Sequence, residues 1–265
     1  MEIIGFLIVL VVWAFVQIIK SNGFSRFNTW NIPFFLSGQL KPAHLDSLNK
    51  YSDFYRRLKP KYKREFEKRV LLFMNSKTFI PRQMSHVTDE MKVLISSVAI
   101  QLTFGLQRIY LAHFNKILVY PSKYYSTINN QYHKGEVNPR FGIIVLSWDA
   151  FVSGMSKPTD GLSLGLHELA HALHLENRIK NEEYGFFNYE AWKVYVHESN
   201  KERITIELGT NTFFRNYAAV DEYEFFAVVI ELFFEQSKAL YDYNKALYEA
   251  LTILLQQNPL TILRS

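Results

Sequence analysis

The sequence predicts an α+β fold, in which a helix-rich domain with a small sheet follows one apolar N-terminal helix. Two short apolar runs, 116–120 and 141–148, are typical of buried strands. Longer stretches with helical spacing of apolar residues dominate the second half of the chain. The third observation is an uncharged apolar run from Ile3 to Ile19.

The composition limits the chemistry that the chain can perform. Of 265 residues, 48% are hydrophobic and 21% are charged, which is ordinary for a folded domain. The net charge is +5, from 30 Lys and Arg against 25 Asp and Glu. Because cysteine is absent, a thiol nucleophile, a disulfide and a cysteine-bound zinc ion are excluded. Any zinc must be held by histidines and carboxylates.

The apolar run predicts a transmembrane anchor over residues 1–20. As a helix it would extend roughly 26 Å, at the short end of what crosses a bilayer. No basic residue precedes the run and no small-residue cleavage site follows it, which disfavours a secretory signal peptide. Lys20 and Arg26 follow it, and this charge bias predicts a single-pass membrane protein with its main body in the cytoplasm. The alternative is a buried core helix.

Residues 21–50 are predicted as a connector, and residues 51–265 as one domain. The segment 56–69 holds eight basic and two acidic side chains. We interpret it as a solvated helix face whose apolar residues turn inward. Contact with anionic lipid headgroups is the alternative. No nucleic-acid-binding motif accompanies this charge, so direct binding of nucleic acid is not expected.

Within the domain, polar residues with Gly and Pro between 121 and 140 predict a loop that joins the two strands. Thr88 or Asp89 is suited to cap the first of several predicted helices. These helices are expected at about 88–106, 162–176, 190–207, 221–234 and 238–257.

The residues His167-Glu168-Leu169-Ala170-His171 form the pattern H-E-x-x-H. Side chains four residues apart on a helix project from one face, so both imidazoles can bind one ion. Neutral imidazole is a good zinc ligand, and a catalytic zinc takes three protein ligands and a water. Glu168 lies beside the first ligand, where its carboxylate can take a proton from that water as general base.

The third ligand stays open on spacing alone. His174 lies three residues after His171, although a histidine at this position is more often packed than bound to metal. Glu190 and Glu224 follow His171 by 19 and 53 positions. Glu224 begins the strongly apolar stretch EFFAVVIELFFE, where a carboxylate needs a partner to be tolerated. Glu231 has the same need and lies on the same helix face.

Several sequence blocks resemble the Mlc titration factor A family of zinc peptidases, whose catalytic part is similar to lethal-factor-type enzymes. The resemblance covers roughly residues 50–265. Its blocks occur in the family's order: TDEMKVLISSVAIQLTFGL, KILVYP, IVLSWDAF, DGLSLGLHELAHAL and NYAAVDEYEFFAVVIELFFEQ.

The resemblance implies a zincin-like peptidase domain of the gluzincin type. It implies His167, His171 and Glu224 as the zinc ligands and Glu168 as the base. It also implies that Tyr217 is an active-site tyrosine, whose phenol can hydrogen-bond the oxyanion of the tetrahedral intermediate.

Two positions depart from the family pattern. His174 stands where the family typically carries an acidic residue, so Glu176 or another carboxylate would have to orient a zinc-bound imidazole. Glu222 stands where the family often has proline, which affects helix initiation more than chemistry.

The resemblance predicts hydrolysis of peptide or protein substrates, with aminopeptidase-like action on short peptides. The strand at 141–148 is expected to offer an edge to which the substrate pairs. A second class of function also fits. The family is named for capturing a transcriptional repressor, so the protein can instead be a regulatory binder of a protein partner, with zinc in a structural or gating role.

Overall fold

The computed structural model describes residues 38–126 and 131–264. Its helices and strands follow one another as α1 (Pro42–Tyr51), α2 (Asp53–Arg57), α3 (Pro60–Ser76), β1 (Thr78–Pro81), α4 (Asp89–Thr103), β2 (Lys116–Tyr120), β3 (Tyr124–Ser126), β4 (Gln131–His133), β5 (Gly135–Asn138), β6 (Ile143–Ser147), α5 (Trp148–Ser156), α6 (Leu164–Arg178), α7 (Tyr189–Glu207), α8 (Glu222–Glu235), α9 (Ser237–Tyr243), α10 (Lys245–Leu254) and α11 (Pro259–Ile262). A 3-10 helix, Asn216–Ala219, lies between α7 and α8. The predicted helix-rich α+β class is confirmed.

The predicted anchor at residues 1–20 lies outside the described residues. Among the helices of 38–126 and 131–264, none is both long and apolar enough to cross a bilayer. Helix α1 begins at Pro42 and buries Leu48 completely. Residues 42–50, which the sequence places in the connector, form most of this helix.

The strands described here include a four-stranded sheet in the order β1–β2–β6–β5. β1, β2 and β6 are parallel, and β5 is antiparallel to β6. In this register Ile117 lies beside Ile144, and Gly135 lies beside Leu146. β3 and β4 form a separate antiparallel hairpin.

Two sequence predictions about this sheet are wrong. The strand expected to be an edge, β6, pairs with β2 on one side and with β5 on the other, so the edges of this sheet are β1 and β5. The segment 121–140, expected to be a loop, contains β3, β4 and β5. The sequence of β5, GEVN, has neither the length nor the β-branched residues of a typical strand, and backbone pairing with β6 holds it in place.

Two long helices, α6 and α8, pack against each other in the core, and α4 lies against α6. Residues 225–234 of α8 are all buried, which agrees with the apolar sequence of this helix. Since a helix that is apolar on all sides lies inside a protein, α8 carries the carboxylate of Glu231 into the interior, whereas Glu222 at its start is exposed.

The starts of α6 and α8 are fixed by side-chain caps. Ser163 Oγ accepts a hydrogen bond from the Leu166 N–H, and the Asp221 carboxylate accepts from the N–H groups of Tyr223 and Glu224, both at 2.8 Å. Because the cap binds the Glu224 backbone itself, it fixes where that side chain leaves the helix.

The C-terminal segment 238–257, predicted as one helix, is divided between α9 and α10. Asn244 separates them. Its Oδ1 accepts from the Leu247 N–H at 2.9 Å, and its amide donates to Glu198 and Glu202 of α7. The break therefore fastens the C-terminal helices to α7.

The basic segment 56–69 covers α2 and the first part of α3. Its helix has one buried face, as predicted, with Phe66, Val70 and Phe73 at 0% exposure. Arg69 is buried as well, at 5% exposure. Its guanidinium donates hydrogen bonds to the carbonyl oxygens of the chain that leaves α4, at Thr103, Phe104 and Leu106.

We expect Arg69→Met to lower the free energy of unfolding by about 2–4 kcal/mol, because it leaves buried carbonyl groups without a charged donor. Urea denaturation followed by circular dichroism measures the change. Lys61→Met removes an exposed charge from the same helix and should change the free energy by less than about 0.5 kcal/mol. Equal effects of the two substitutions would contradict a structural role for Arg69.

Candidate metal centre

Helix α6 presents the two motif histidines on one face. The Nε2 atoms of His167 and His171 are 3.1 Å apart, and the two rings are nearly perpendicular, at 89°. Both side chains are largely buried, with 12% and 15% exposure. The one-turn spacing in the sequence therefore places both nitrogens around a common point.

Helix α8 adds a carboxylate to this pair. Glu224 Oε2 lies 3.1 Å from His167 Nε2, and Glu224 Oε1 lies 3.5 Å from His171 Nε2. These three side chains are grouped closely enough to hold a metal ion. The structure thus brings together the ligands that the family resemblance implies, and their assignment as ligands stays a prediction.

The other two candidates for the third ligand lie elsewhere. The Glu190 side chain is 75% exposed and pairs with Lys193 on the surface of α7. His174 is buried among the rings of Trp192, Tyr223 and Phe226, at 4.8–5.2 Å between ring centroids. Burial, together with the nearby Arg178, lowers the pKa of His174 to about 4, so this imidazole is a neutral packing residue.

The geometry of the three donors fits a small tetrahedral ion. Ligand atoms at about 2.0 Å from a tetrahedral zinc are about 3.3 Å from one another. The two imidazole nitrogens are 3.1 Å apart, and each has a different Glu224 oxygen as its neighbour, at 3.1 Å for His167 and 3.5 Å for His171. Glu224 Oε2 is buried, and among the described residues it has no hydrogen-bond partner, although His167 Nε2 lies 3.1 Å away. The donor set, two imidazoles and one carboxylate, is also one that zinc prefers.

The electrostatics of the three side chains also favour a cation between them. His167 Nδ1 donates a hydrogen bond to Glu231 Oε1 at 2.8 Å, so a neutral His167 directs the lone pair of Nε2 toward Glu224. Two electron-rich atoms at 3.1 Å repel each other unless a cation or a proton lies between them. Burial alone would lower the pKa of His167, but the contacts with Glu224 and Glu231 raise it to about 10. The pocket therefore favours a positive charge at its centre.

The carboxylate behind His167 is Glu231, at 2% exposure. The sequence pattern places it on the face of Glu224 but does not reveal its partner. The sequence leaves two options for a carboxylate that orients an imidazole, Glu176 or another residue, and the second agrees with the position of Glu231, because Glu176 lies elsewhere. Its carboxylate accepts hydrogen bonds from the His113 N–H and the Asn181 amide and holds the loop before β2.

Glu168 lies beside the donors on the side of the sheet. Its side chain is 6% exposed and packs directly against Gly135 at the start of β5. A Cβ atom added to Gly135 would be 2.4 Å from Glu168 Oε1. Burial raises the pKa of Glu168 to about 7, against the opposing influence of His167 and His171. A carboxylate with this pKa can both accept and return a proton near neutral pH.

Tyr217 lies beside the centre, in the 3-10 helix that precedes α8. Its ring centroid is 6.1 Å from that of His167, and the side chain is 50% exposed. Partial burial and the nearby Glu224 raise the pKa of Tyr217, so its phenol keeps its proton and can donate it in a hydrogen bond. The side chain is thus accessible to a ligand at the metal centre.

The sequence offers little sign of three residues that shape this centre. Gly135 falls within a predicted loop, and Arg215 lies in an unassigned stretch two residues before Tyr217. Arg215 Nη2 donates to Glu231 Oε1 at 2.6 Å. Only Glu231 gives a signal, since a carboxylate inside so apolar a helix requires a partner.

The fold and the site together define a class: a helix-rich α+β protein with two histidines from one helix and a glutamate from another around a metal-sized space. The chain belongs to the family described as glucose-regulated metallo-peptidase M90, whose family model matches residues 29–255. An uncharacterized protein of Synechocystis sp. is 27% identical over 245 residues, which cover 84% of this chain and 89% of that protein.

The family match confirms the predicted relation to the Mlc titration factor A family and to metallopeptidases. It also supports the presence of a metal ion. Similarity to lethal-factor-type enzymes stays a prediction. The matched residues begin after the predicted anchor at 1–20.

We expect Glu224→Ala to weaken zinc binding by at least about 100-fold, because it removes one of three donors. Glu190→Ala serves as the matched control and should keep the parent zinc affinity, since the Glu190 side chain is exposed on α7 and pairs with Lys193. Competition between the purified protein and a chromogenic chelator gives both affinities. A loss confined to Glu190→Ala would transfer the third ligand to α7.

Proposed function

We propose that this protein is a zinc-dependent peptidase of the gluzincin type that hydrolyses peptide bonds. His167, His171 and Glu224 hold the ion, and Glu168 is the general base. The observation that carries the proposal is the triangle of donor atoms with a buried carboxylate of near-neutral pKa directly beside it.

Each protein group then has a definite task. The three donors would hold a zinc ion, which would polarise a carbonyl group and lower the pKa of a water molecule. Glu168 takes a proton from the attacking water and delivers it to the leaving amine. Its burial against Gly135 keeps the carboxylate in one orientation for both transfers.

Tyr217 contributes a hydrogen-bond donor. Its protonated phenol can donate a hydrogen bond to the oxygen on which negative charge develops as the carbonyl is attacked. The raised pKa suits this task, because the group stays a donor over the whole physiological pH range. Half of the side chain is exposed, so a substrate can reach it.

Strand β5 is the proposed binding edge for the substrate. Among the described strands of the sheet it pairs only with β6, and its first residue touches Glu168. An extended peptide that adds to this edge gains backbone hydrogen bonds and brings its amide group past the base. Pairing with β5 thus replaces the expected pairing with 141–148.

The proposal also includes aminopeptidase-like action on short peptides, which follows from the family resemblance. It includes attachment to the membrane, which follows from the apolar run before residue 20. A cytoplasmic catalytic domain follows from the charges after that run. Fractionation of cells that express the full-length protein tests the attachment, since a protein found wholly in the soluble fraction would refute it.

We expect Glu168→Gln to keep the parent zinc affinity and to lower kcat by at least about 1000-fold, because glutamine preserves size but cannot carry the proton. Steady-state cleavage of a short fluorogenic peptide with a free amino group measures the effect. Hydrolysis as fast as that of the parent would exclude the enzymatic proposal. It would favour the alternative of a regulatory protein-binding factor.

We expect Gly135→Ala to leave zinc binding unchanged and to lower kcat by about 10- to 100-fold, because the new methyl group displaces the Glu168 carboxylate. Lys134→Ala is the matched control on the neighbouring residue, whose side chain is exposed. The same peptide assay measures both variants. Full activity of Gly135→Ala would show that Glu168 tolerates displacement and does not act as the base.

A further inference from the structure

The buried carboxylate of Glu231 contacts three separate parts of the site. Its Oε1 accepts from His167 Nδ1 at 2.8 Å and from Arg215 Nη2 at 2.6 Å. Its Oε2 accepts from the Ser163 N–H at 2.7 Å, at the start of α6. A carboxylate with only 2% exposure is stable because all these donors reach it.

The contact with His167 determines which ring nitrogen keeps its hydrogen. Because Nδ1 donates to Glu231, the lone pair of a neutral ring lies on Nε2, which faces Glu224 and His171. A carboxylate behind a ligating imidazole fixes its orientation and increases its basicity. Removal of the negative charge should therefore reduce metal affinity without removing a ligand.

The contact with Arg215 links Glu231 to the segment that carries Tyr217. Arg215 is the residue directly before the 3-10 helix Asn216–Ala219, and it bridges Glu231 and the Gly161 carbonyl oxygen, which its Nη1 contacts at 2.9 Å. This bridge holds the backbone that carries Tyr217. The phenol is therefore tied to the carboxylate that orients His167.

We propose that Glu231 and Arg215 are positioning residues of the metal centre, so that the orientation of His167 and the placement of Tyr217 depend on one buried carboxylate. The inference rests on the proposed zinc-binding function. Glu231 acts on metal affinity through His167, and Arg215 acts on turnover through Tyr217.

Helix α8 contains a matched control one turn further on. Glu235 is also mostly buried, and its carboxylate accepts from the Gly161 N–H at 2.9 Å, in the same loop that Glu231 holds at Ser163. Burial raises the pKa of Glu235 to about 8, so glutamine resembles its protonated form at neutral pH. The described contacts of Glu235 include neither His167 nor Arg215.

The first experiment compares Glu231→Gln with Glu235→Gln in the purified full-length chain. Zinc affinity is measured by chelator competition, and folding is checked by circular dichroism and thermal melting. We expect about 10- to 100-fold weaker zinc binding for Glu231→Gln and parent affinity for Glu235→Gln. Parent affinity in Glu231→Gln, or the same loss in both variants, would overturn the inference.

The second experiment uses Arg215→Met and keeps Glu231 intact, so it serves even if Glu231→Gln does not fold. At saturating zinc, we expect kcat to fall at least tenfold with little change in KM, because the phenol is displaced from the developing charge. Arg178→Met removes a nearby surface arginine that pairs with Glu222 and should keep the parent kcat. An unchanged kcat in Arg215→Met would overturn the role of Arg215.

The two levels of the proposal fail in different ways. A parent protein that binds no zinc, or binds zinc but cleaves no peptide, would contradict the proposed function. A parent that binds zinc and cleaves peptides, with Glu231→Gln and Arg215→Met indistinguishable from it, would contradict only the positioning roles.

Discussion

The structure depends on the close approach of three electron-rich groups, two imidazole nitrogens 3.1 Å apart and the Glu224 carboxylate, whose Oε2 lies 3.1 Å from His167 Nε2 and whose Oε1 lies 3.5 Å from His171 Nε2. Such an arrangement is unfavourable unless a positive charge occupies its centre. The packing of α6 on α8 and the side-chain caps at both helix starts hold the three groups in place. Much of the fold can be understood as the support that keeps this arrangement from relaxing.

The spacing of carboxylates along α8 links the fold with the chemistry. Glu224 and Glu231 are seven residues apart, so they lie on one face two turns apart. The first meets the lone pairs of the imidazoles, and the second meets the N–H of one of them. An apolar helix thus brings two negative charges to opposite sides of His167. Each is tolerated because it has partners.

The sequence predicts the parts of this site that follow helical periodicity. The motif on α6, the strand at 116–120 and the start of α8 agree with the structure within a few residues, since apolar patterns and capping residues act locally. Spacing alone cannot decide between Glu190 and Glu224, because loop paths set the distance between helices. The family resemblance favours Glu224, and the fold brings Glu224 to the two imidazoles. β5 and the contact of Gly135 with Glu168 are absent from any local pattern, because they arise from pairing with a distant strand.

The antiparallel direction of β5 relative to β6 determines in which direction a peptide would lie along the edge of the sheet. A peptide added antiparallel to β5 would run in the same direction as β6, from the Asn138 end of β5 toward Gly135. In aminopeptidase-like action the single residue before the scissile bond would lie against β5, and the rest of the peptide would extend beyond Gly135, away from Asn138. The direction of one four-residue strand would thus place the amino end of a peptide and its carboxyl part on different surfaces.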